Sequence, residues 1–225
     1  MKTYNPKSVE VWCGGVRVDD KQSFEWKATE VKSDPYIQTY SHKKLHLFNP
    51  KPEEIELEDI PHALGLKTRY TGHCKFHYSV AQHCVLGANL LEDSHGPWSA
   101  LAFLLHELGE VYLPDIASPL KPHIKIEVEP GVLMGWKELE RRHEVAILEA
   151  LGLDLWLARL HHPIIKEMDN SMLAAEANAI MSPLIPGWGG DAMRNPAKTA
   201  IVMWEPEAAA DVWLITYKYL RNIIG

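Results

Sequence analysis

Hydrophobic and polar positions follow two textures, which change near residue 50. Before that point they alternate. Val9-Glu10-Val11-Trp12-Cys13 and Val16-Arg17-Val18 flank Gly14-Gly15, the pattern of a short hairpin. Tyr36-Ile37-Gln38-Thr39-Tyr40 and Leu45-His46-Leu47-Phe48 make a second candidate strand pair, closed by Asn49-Pro50. From Glu53 onward the apolar period is helical. Ile55, Ile60, Leu64 and Leu66 predict a helix ending near Leu66, and Ser79 is a natural N-cap for a helix running to about Glu92. Beyond Gly96-Pro97, the stretch 98–112 is the most apolar in the chain and predicts a central helix, broken by Leu113-Pro114-Asp115. Residues 119–130 read as an irregular connection and 137–151 as an amphipathic helix, while Pro163 suits the first turn of another. A Gly/Pro-rich loop over 182–196 precedes a last helix over 206–224. The expectation is a β-containing appendage over 1–50 and an all-α domain over 51–225.

Composition narrows the function classes. A net charge of −7 opposes a polyanion, which disfavours extended nucleic acid as a partner. Cys13, Cys74 and Cys84 are an odd set without CxxC spacing, which fits a reducing cytoplasm better than a disulfide framework. The residues after Met1 carry no secretory signal, and the longest apolar run, 100–105, is far short of the ~20 residues of a membrane span. A chain of 225 residues builds an adequate core without a structural metal, so any metal is expected to be functional. There are 12 histidines to inspect for that role.

The candidate chemistry lies in the most apolar segment. Leu104-Leu105-His106-Glu107-Leu108-Gly109-Glu110 sets three ionisable groups among aliphatic ones, and leaving them buried without partners would cost several kcal/mol. On a helix, His106 and Glu110 would share a face, with Glu107 about 100° round. A divalent cation would satisfy them, with His83 on the Ser79 helix and Asp169 on the Pro163 helix, between Ile165 and Leu173, as further ligands. Taken singly, His83 reads as a core histidine, Glu107 and Glu110 as a solvated face, and Asp169 as a cap; it is their joint pattern that argues for a metal. Imidazole with carboxylate suits Zn, Mn, Fe, Co or Ni, and more carboxylate or water shifts the preference toward Mg or Mn.

In order and surroundings these residues resemble the HD-domain metal-dependent phosphohydrolases, in particular the 5′-deoxynucleotidase-like branch. Ser79-Val80-Ala81-Gln82-His83 resembles the motif that introduces the first histidine there. The stretch from Leu105-His106-Glu107 through Glu110, Asp115 and Pro119 to Lys121 resembles the long second segment, and Arg69 matches the arginine upstream. The likeness runs over about 40–181. It implies an HD-type helical bundle in which His83, His106, Glu107 and Asp169 hold one divalent ion. By the same likeness Glu110 and Asp115 serve the reacting phosphate and sugar, and Arg69 and Lys121 take phosphate charge. The implied reaction is attack of a metal-bound water on a (deoxy)nucleotide, releasing phosphate from a 5′-monophosphate or triphosphate from a dNTP, in a homo-oligomer. The alternative is a non-catalytic, regulatory nucleotide-binding domain with an altered metal site.

Two departures from that pattern stand out. Glu107 replaces the family's Asp and carries its carboxylate about 1.5 Å further from the backbone. Tyr70 stands where the deoxynucleotidases have Trp, so their rejection of ribose does not carry over. The tract His73-Cys74, His77, His83-Cys84 matches no standard zinc spacing. His161-His162 reads as solvent-facing, and Trp12, Trp26, Trp136, Trp188 and Trp204 as core or interface anchors.

Overall fold

The computed structural model describes residues 34–153 and 156–225, together with the paired strands β1 (Trp12–Cys13) and β2 (Val16–Arg17). These strands pair antiparallel, with Trp12 opposite Arg17 and Cys13 opposite Val16. They fall where the first hairpin is expected; Val9-Glu10-Val11, Val18 and Trp26 lie outside the described residues. Contacts divide the chain into the units Met1–Val31 and Lys32–Gly225.

The second unit is mostly helical, with α1 (Asp59–Leu66), α2 (Val80–His95), α3 (Pro97–Leu104), α4 (Trp136–Ala150), α5 (Leu157–Leu160), α6 (Pro163–Glu176) and α7 (Pro206–Ile224). It also contains two hairpins, β3 (Tyr36–Gln38) with β4 (Lys44–His46) and β5 (Lys125–Glu129) with β6 (Val132–Gly135). The first is the expected second strand pair, and Leu45, facing inward from β4, is fully buried in the main core. Its turn is tied to the helices by Asp59, a buried carboxylate at the start of α1. Asp59 accepts from the Ser41 N–H at 2.7 Å, the Ser41 hydroxyl at 2.9 Å and the Tyr112 hydroxyl at 3.2 Å.

Helix α2 begins where its cap predicts: the Ser79 Oγ accepts the Gln82 N–H at 3.1 Å. Gly96, at φ +78°, ends it and lets Pro97 open α3 at once. The two helices pack face to face and enclose a core that includes Val85, Leu91, Leu101 and Leu104, with α7 laid across them. The Trp213 indole N–H from α7 donates to the Leu104 carbonyl at 3.2 Å, satisfying a group at the end of α3.

Three sequence expectations are corrected. The central helix does not run through 112. It stops at Leu104 and gives way to tight turns in which the N–H groups of His106, Leu108, Glu110 and Val111 bond carbonyls three residues back. The cause is local. The His106 imidazole takes the Phe103 carbonyl at 2.6 Å, and the Lys67 ammonium reaches in from beyond α1 to the carbonyls of Glu110, Val111 (2.7 Å) and Leu113 (2.8 Å). Glu53 belongs to a single 3-10 turn, Pro52–Glu54, and the helix proper starts at Asp59. The expected irregular connection contains β5, whose partner β6 follows a Pro130-Gly131 turn in which Gly131 supplies φ +78°. Ile126 and Val128 turn toward Met134, Trp136 and Leu139 in a small second core.

Candidate metal centre

Three elements bring the four expected ligands together. His83 sits one turn into α2 and is wholly buried; His106 and Glu107 occupy the tight turn after α3; Asp169 lies midway along α6. One donor atom from each lies within 4.8 Å of every other. The two Nε2 atoms stand 3.3 Å apart, His83 Nε2 is 3.5 Å from Asp169 Oδ1, and His106 Nε2 is 3.5 Å from Glu107 Oε1 and 4.0 Å from Asp169 Oδ1. The side chains of His106, Glu107 and Asp169 keep 10%, 18% and 20% exposure, so the centre is open on one side.

Outward from the ligands, each imidazole is oriented by its second nitrogen. His83 Nδ1 lies 2.6 Å from Glu176 Oε1, and His106 Nδ1 lies 2.6 Å from the Phe103 carbonyl, acceptors that assign the proton to Nδ1 in both rings. Both Nε2 lone pairs then converge on one point beside two carboxylates. A cation, either a metal ion or a proton on one ring, satisfies this arrangement. Burial opposes charge throughout the site, yet Glu107 holds His106 well above the usual imidazole range, and His106 in turn holds Glu107 well below the carboxylate range. Asp169 is lowered too, by His106 and His83 against burial. A proton on His106 therefore competes with a metal for this position, and the carboxylates are already ionised as ligation requires.

The donor set fits a divalent ion. Donors 2.0–2.2 Å from an ion stand about 3.0–3.5 Å apart when adjacent and about 4.2 Å when opposite, so the observed 3.3 to 4.8 Å needs only sub-ångström closure. The same set admits Co, Mn, Zn, Fe or Mg.

Among curated proteins the chain resembles "Uncharacterized protein RCAP_rcc00048" of Rhodobacter capsulatus, 32% identical over 145 residues covering 62% of this chain and 70% of that protein. The chain belongs to the family of that protein. It is also 31% identical to "Uncharacterized protein YfdR" of Escherichia coli K12 over 118 residues, 52% of this chain, and the match spans 59% of that relative's length. No protein-family profile matches the chain. Neither relative's name states an activity, so the chemistry rests on the geometry of the site.

Around the ligands the other expected residues fall as follows. Arg69 donates from Nε to Glu176 Oε2 at 3.0 Å and from Nη1 to Glu107 Oε1 at 3.3 Å. Tyr70 donates its hydroxyl to Glu176 Oε2 at 2.6 Å, from a turn in which Tyr70 (φ +59°), Thr71 (φ +53°) and Gly72 (φ +77°) are all left-handed. For the two non-glycines this strain is of order 1–2 kcal/mol each, held by the Tyr70 hydroxyl bond to Glu176 and by the Gly72 and His73 N–H groups on the Arg69 and Tyr70 carbonyls. Glu110, almost fully buried, accepts from Lys121 at 2.9 Å, and Lys121 also reaches Glu140 at 2.8 Å. Burial and then Glu107 push the Glu110 carboxyl up to about 8 against the pull of Lys121. Burial likewise raises the Asp115 carboxyl, which makes no hydrogen bond among the described residues.

Several participants were not anticipated. Glu176 at the end of α6 is completely buried and accepts from Tyr78 as well, at 3.1 Å. Lys67 holds the 110–113 carbonyls, and burial lowers its amine to about 8. Away from the cluster, His161 and His162 are exposed as expected, His161 bonding Glu144 of α4 at 3.0 Å and His162 capping α6 through the Ile164 N–H, and Trp188 stands 6.4 Å from the Tyr70 ring.

Metal binding to this native cluster has a direct thermodynamic signature. After exhaustive chelation, Co(II) or Mn(II) at 100 times its dissociation constant is expected to stabilise the fold by about 2.7 kcal/mol. For a chain of this size that raises Tm by about 5–10 °C in calorimetry. A Tm indifferent to every divalent ion tried would remove the metal centre.

Proposed function

We propose that the chain is a metal-dependent phosphohydrolase acting on nucleotides. The observation that carries this is the pair of facing Nε2 atoms, 3.3 Å apart and flanked by Glu107 and Asp169, open to solvent on one side and bordered by cationic and protonated groups. A divalent ion held there supplies Lewis acidity and a water acidic enough to act near neutral pH. His83, His106, Glu107 and Asp169 hold and orient that ion. Arg69 uses two of its five N–H donors within the described residues, one on Glu176 and one on Glu107, which leaves three that could take phosphate oxygens. Burial raises the Glu110 carboxyl to about 8, which suits it to give a proton to a leaving oxygen in this reading, with Lys121 fixing its orientation. Phosphoryl transfer asks for this combination of positioning and charge neutralisation.

The resemblance to the HD-domain phosphohydrolases supports the same reading, and Tyr70 beside Trp188 provides an aromatic wall for a sugar or base. One observation favours the regulatory alternative. Glu107 is shared between His106 and Arg69, so a nucleotide could draw on Arg69 without the ion being bound for turnover.

Release of phosphate and of triphosphate from a panel of ribo- and deoxynucleoside mono- and triphosphates, each with Mn, Co, Mg or Zn or after chelation, separates the two. Metal-dependent turnover of one substrate class is expected. Saturable nucleotide binding without turnover at any metal would establish the regulatory domain instead.

A further inference from the structure

We infer that Glu176 is a positioning residue whose single buried carboxylate fixes the metal-ligating tautomer of His83 and anchors Arg69 and Tyr70. Metal binding and recognition of the anionic substrate are thereby linked through one side chain. The inference deepens the phosphohydrolase reading, on which its consequence for substrate rests; its consequence for the His83 tautomer does not depend on it.

The two oxygens of Glu176 do different work. Oε2 accepts from Arg69 Nε at 3.0 Å and from the Tyr70 hydroxyl at 2.6 Å, on the side facing the proposed phosphate position. Oε1 accepts from His83 Nδ1 at 2.6 Å and from the Tyr78 hydroxyl at 3.1 Å. An ionised carboxylate has only acceptors to offer, so four donors can converge on it in a fully buried position.

The asymmetry predicts what an amide would do there. In Glu176→Gln one oxygen becomes an NH2 donor. It cannot face Arg69, which has no acceptor, and therefore it turns toward His83 and Tyr78, both of which can accept. His83 Nδ1 must then receive a hydrogen bond, its proton moves to Nε2, and the lone pair that would ligate the ion is lost. Loss of such an outer partner typically weakens metal binding by about 10–100-fold.

Two readouts test this on the full-length protein. Long-range 1H–15N spectra of the metal-free protein are expected to show His83 as the Nδ1–H tautomer in wild type and as Nε2–H in Glu176→Gln. Co(II) titration followed by visible absorption is expected to show a 10–100-fold weaker site in the variant. Tyr78→Phe removes another buried partner of the same carboxylate and should change Co(II) affinity far less. An Nε2–H tautomer in wild type, an unchanged Co(II) affinity in Glu176→Gln, or an equal loss in Tyr78→Phe overturns the inference. If Glu176→Gln does not fold, Glu176→Asp keeps the charge on a shorter arm; weakened Co(II) binding supports the positioning role, and wild-type affinity overturns it. A wild type with the Nδ1–H tautomer but no Co(II) binding would refute the metal reading and leave the orientation of His83 by Glu176 intact.

Discussion

His106→Ala is expected to leave a folded helical protein with no measurable metal-dependent turnover. The side chain lies at the open face of the cluster with 10% exposure, and its one backbone contact, to the Phe103 carbonyl, belongs to a turn whose main-chain bonds do not need it. Truncation should therefore cost modestly in stability. For the site the loss is severe, because His106 supplies one of two imidazole ligands and the counter-charge that keeps Glu107 ionised. Without it, Glu107 and Asp169 keep only His83 between them, with Arg69 on the outer side of Glu107 at 3.3 Å. A metal's contribution to a phosphoryl-transfer barrier is several kcal/mol, so kcat/KM should fall on the order of 10³-fold or more. Circular dichroism with single-turnover assays at saturating Mn(II) checks both halves. Turnover within a few-fold of wild type, in a variant that no longer binds Co(II), would place the chemistry elsewhere in the molecule.

The cluster that could hold a metal was legible in the sequence because of the setting of its residues, not their type. His83 and His106 sit among apolar neighbours and Asp169 lies between Ile165 and Leu173 on one helix face, and groups buried in that way must find partners. Glu176 carries the same signal: it interrupts Leu173-Ala174-Ala175-Glu176-Ala177, two helical turns beyond Asp169 on the same face of α6. It belonged among the candidates by the rule that found its neighbour. The end of α3 was a different case. Leu104 to Tyr112 has excellent helical periodicity, and what breaks the helix is Lys67, from a distant stretch of chain, donating to three carbonyls. No local pattern reports a donor that arrives through tertiary structure. The break matters to the site: on a continuous helix His106 and Glu110 would share a face, whereas the tight turns send His106 to the metal cluster and Glu110 to Lys121. The β5–β6 hairpin was readable, since Lys125-Ile126-Glu127-Val128-Glu129 alternates up to a Pro-Gly turn, but its short strands were masked by the helical texture around them.

Gly87→Ala is expected to damage both the fold and the metal centre, although a helix interior ordinarily gains about 1 kcal/mol from that exchange. Gly87 faces α3, and a Cβ there would lie 2.1 Å from the Phe103 ring edge, far inside contact distance. Phe103 is fully buried, with its ring centroid 5.4 Å from that of His83 and 4.3 Å from that of His106, so it has no open space to enter. Either the helices part or the ring pushes into the two imidazoles whose Nε2 atoms must meet. Overpacking of this kind costs about 1–3 kcal/mol, exceeding the propensity gain over most of that range. The expected readings are a Tm several degrees lower and a weakened, spectrally altered Co(II) site. Adding Phe103→Leu should restore part of the stability by removing the ring edge, while leaving the histidines without their aromatic wall. Stability and Co(II) affinity would then separate, and that separation decides the mechanism. Recovery of both together would mean that the helix spacing alone governs the centre. Recovery of Tm with a still-perturbed cobalt spectrum would show that Phe103 itself holds the imidazoles in register.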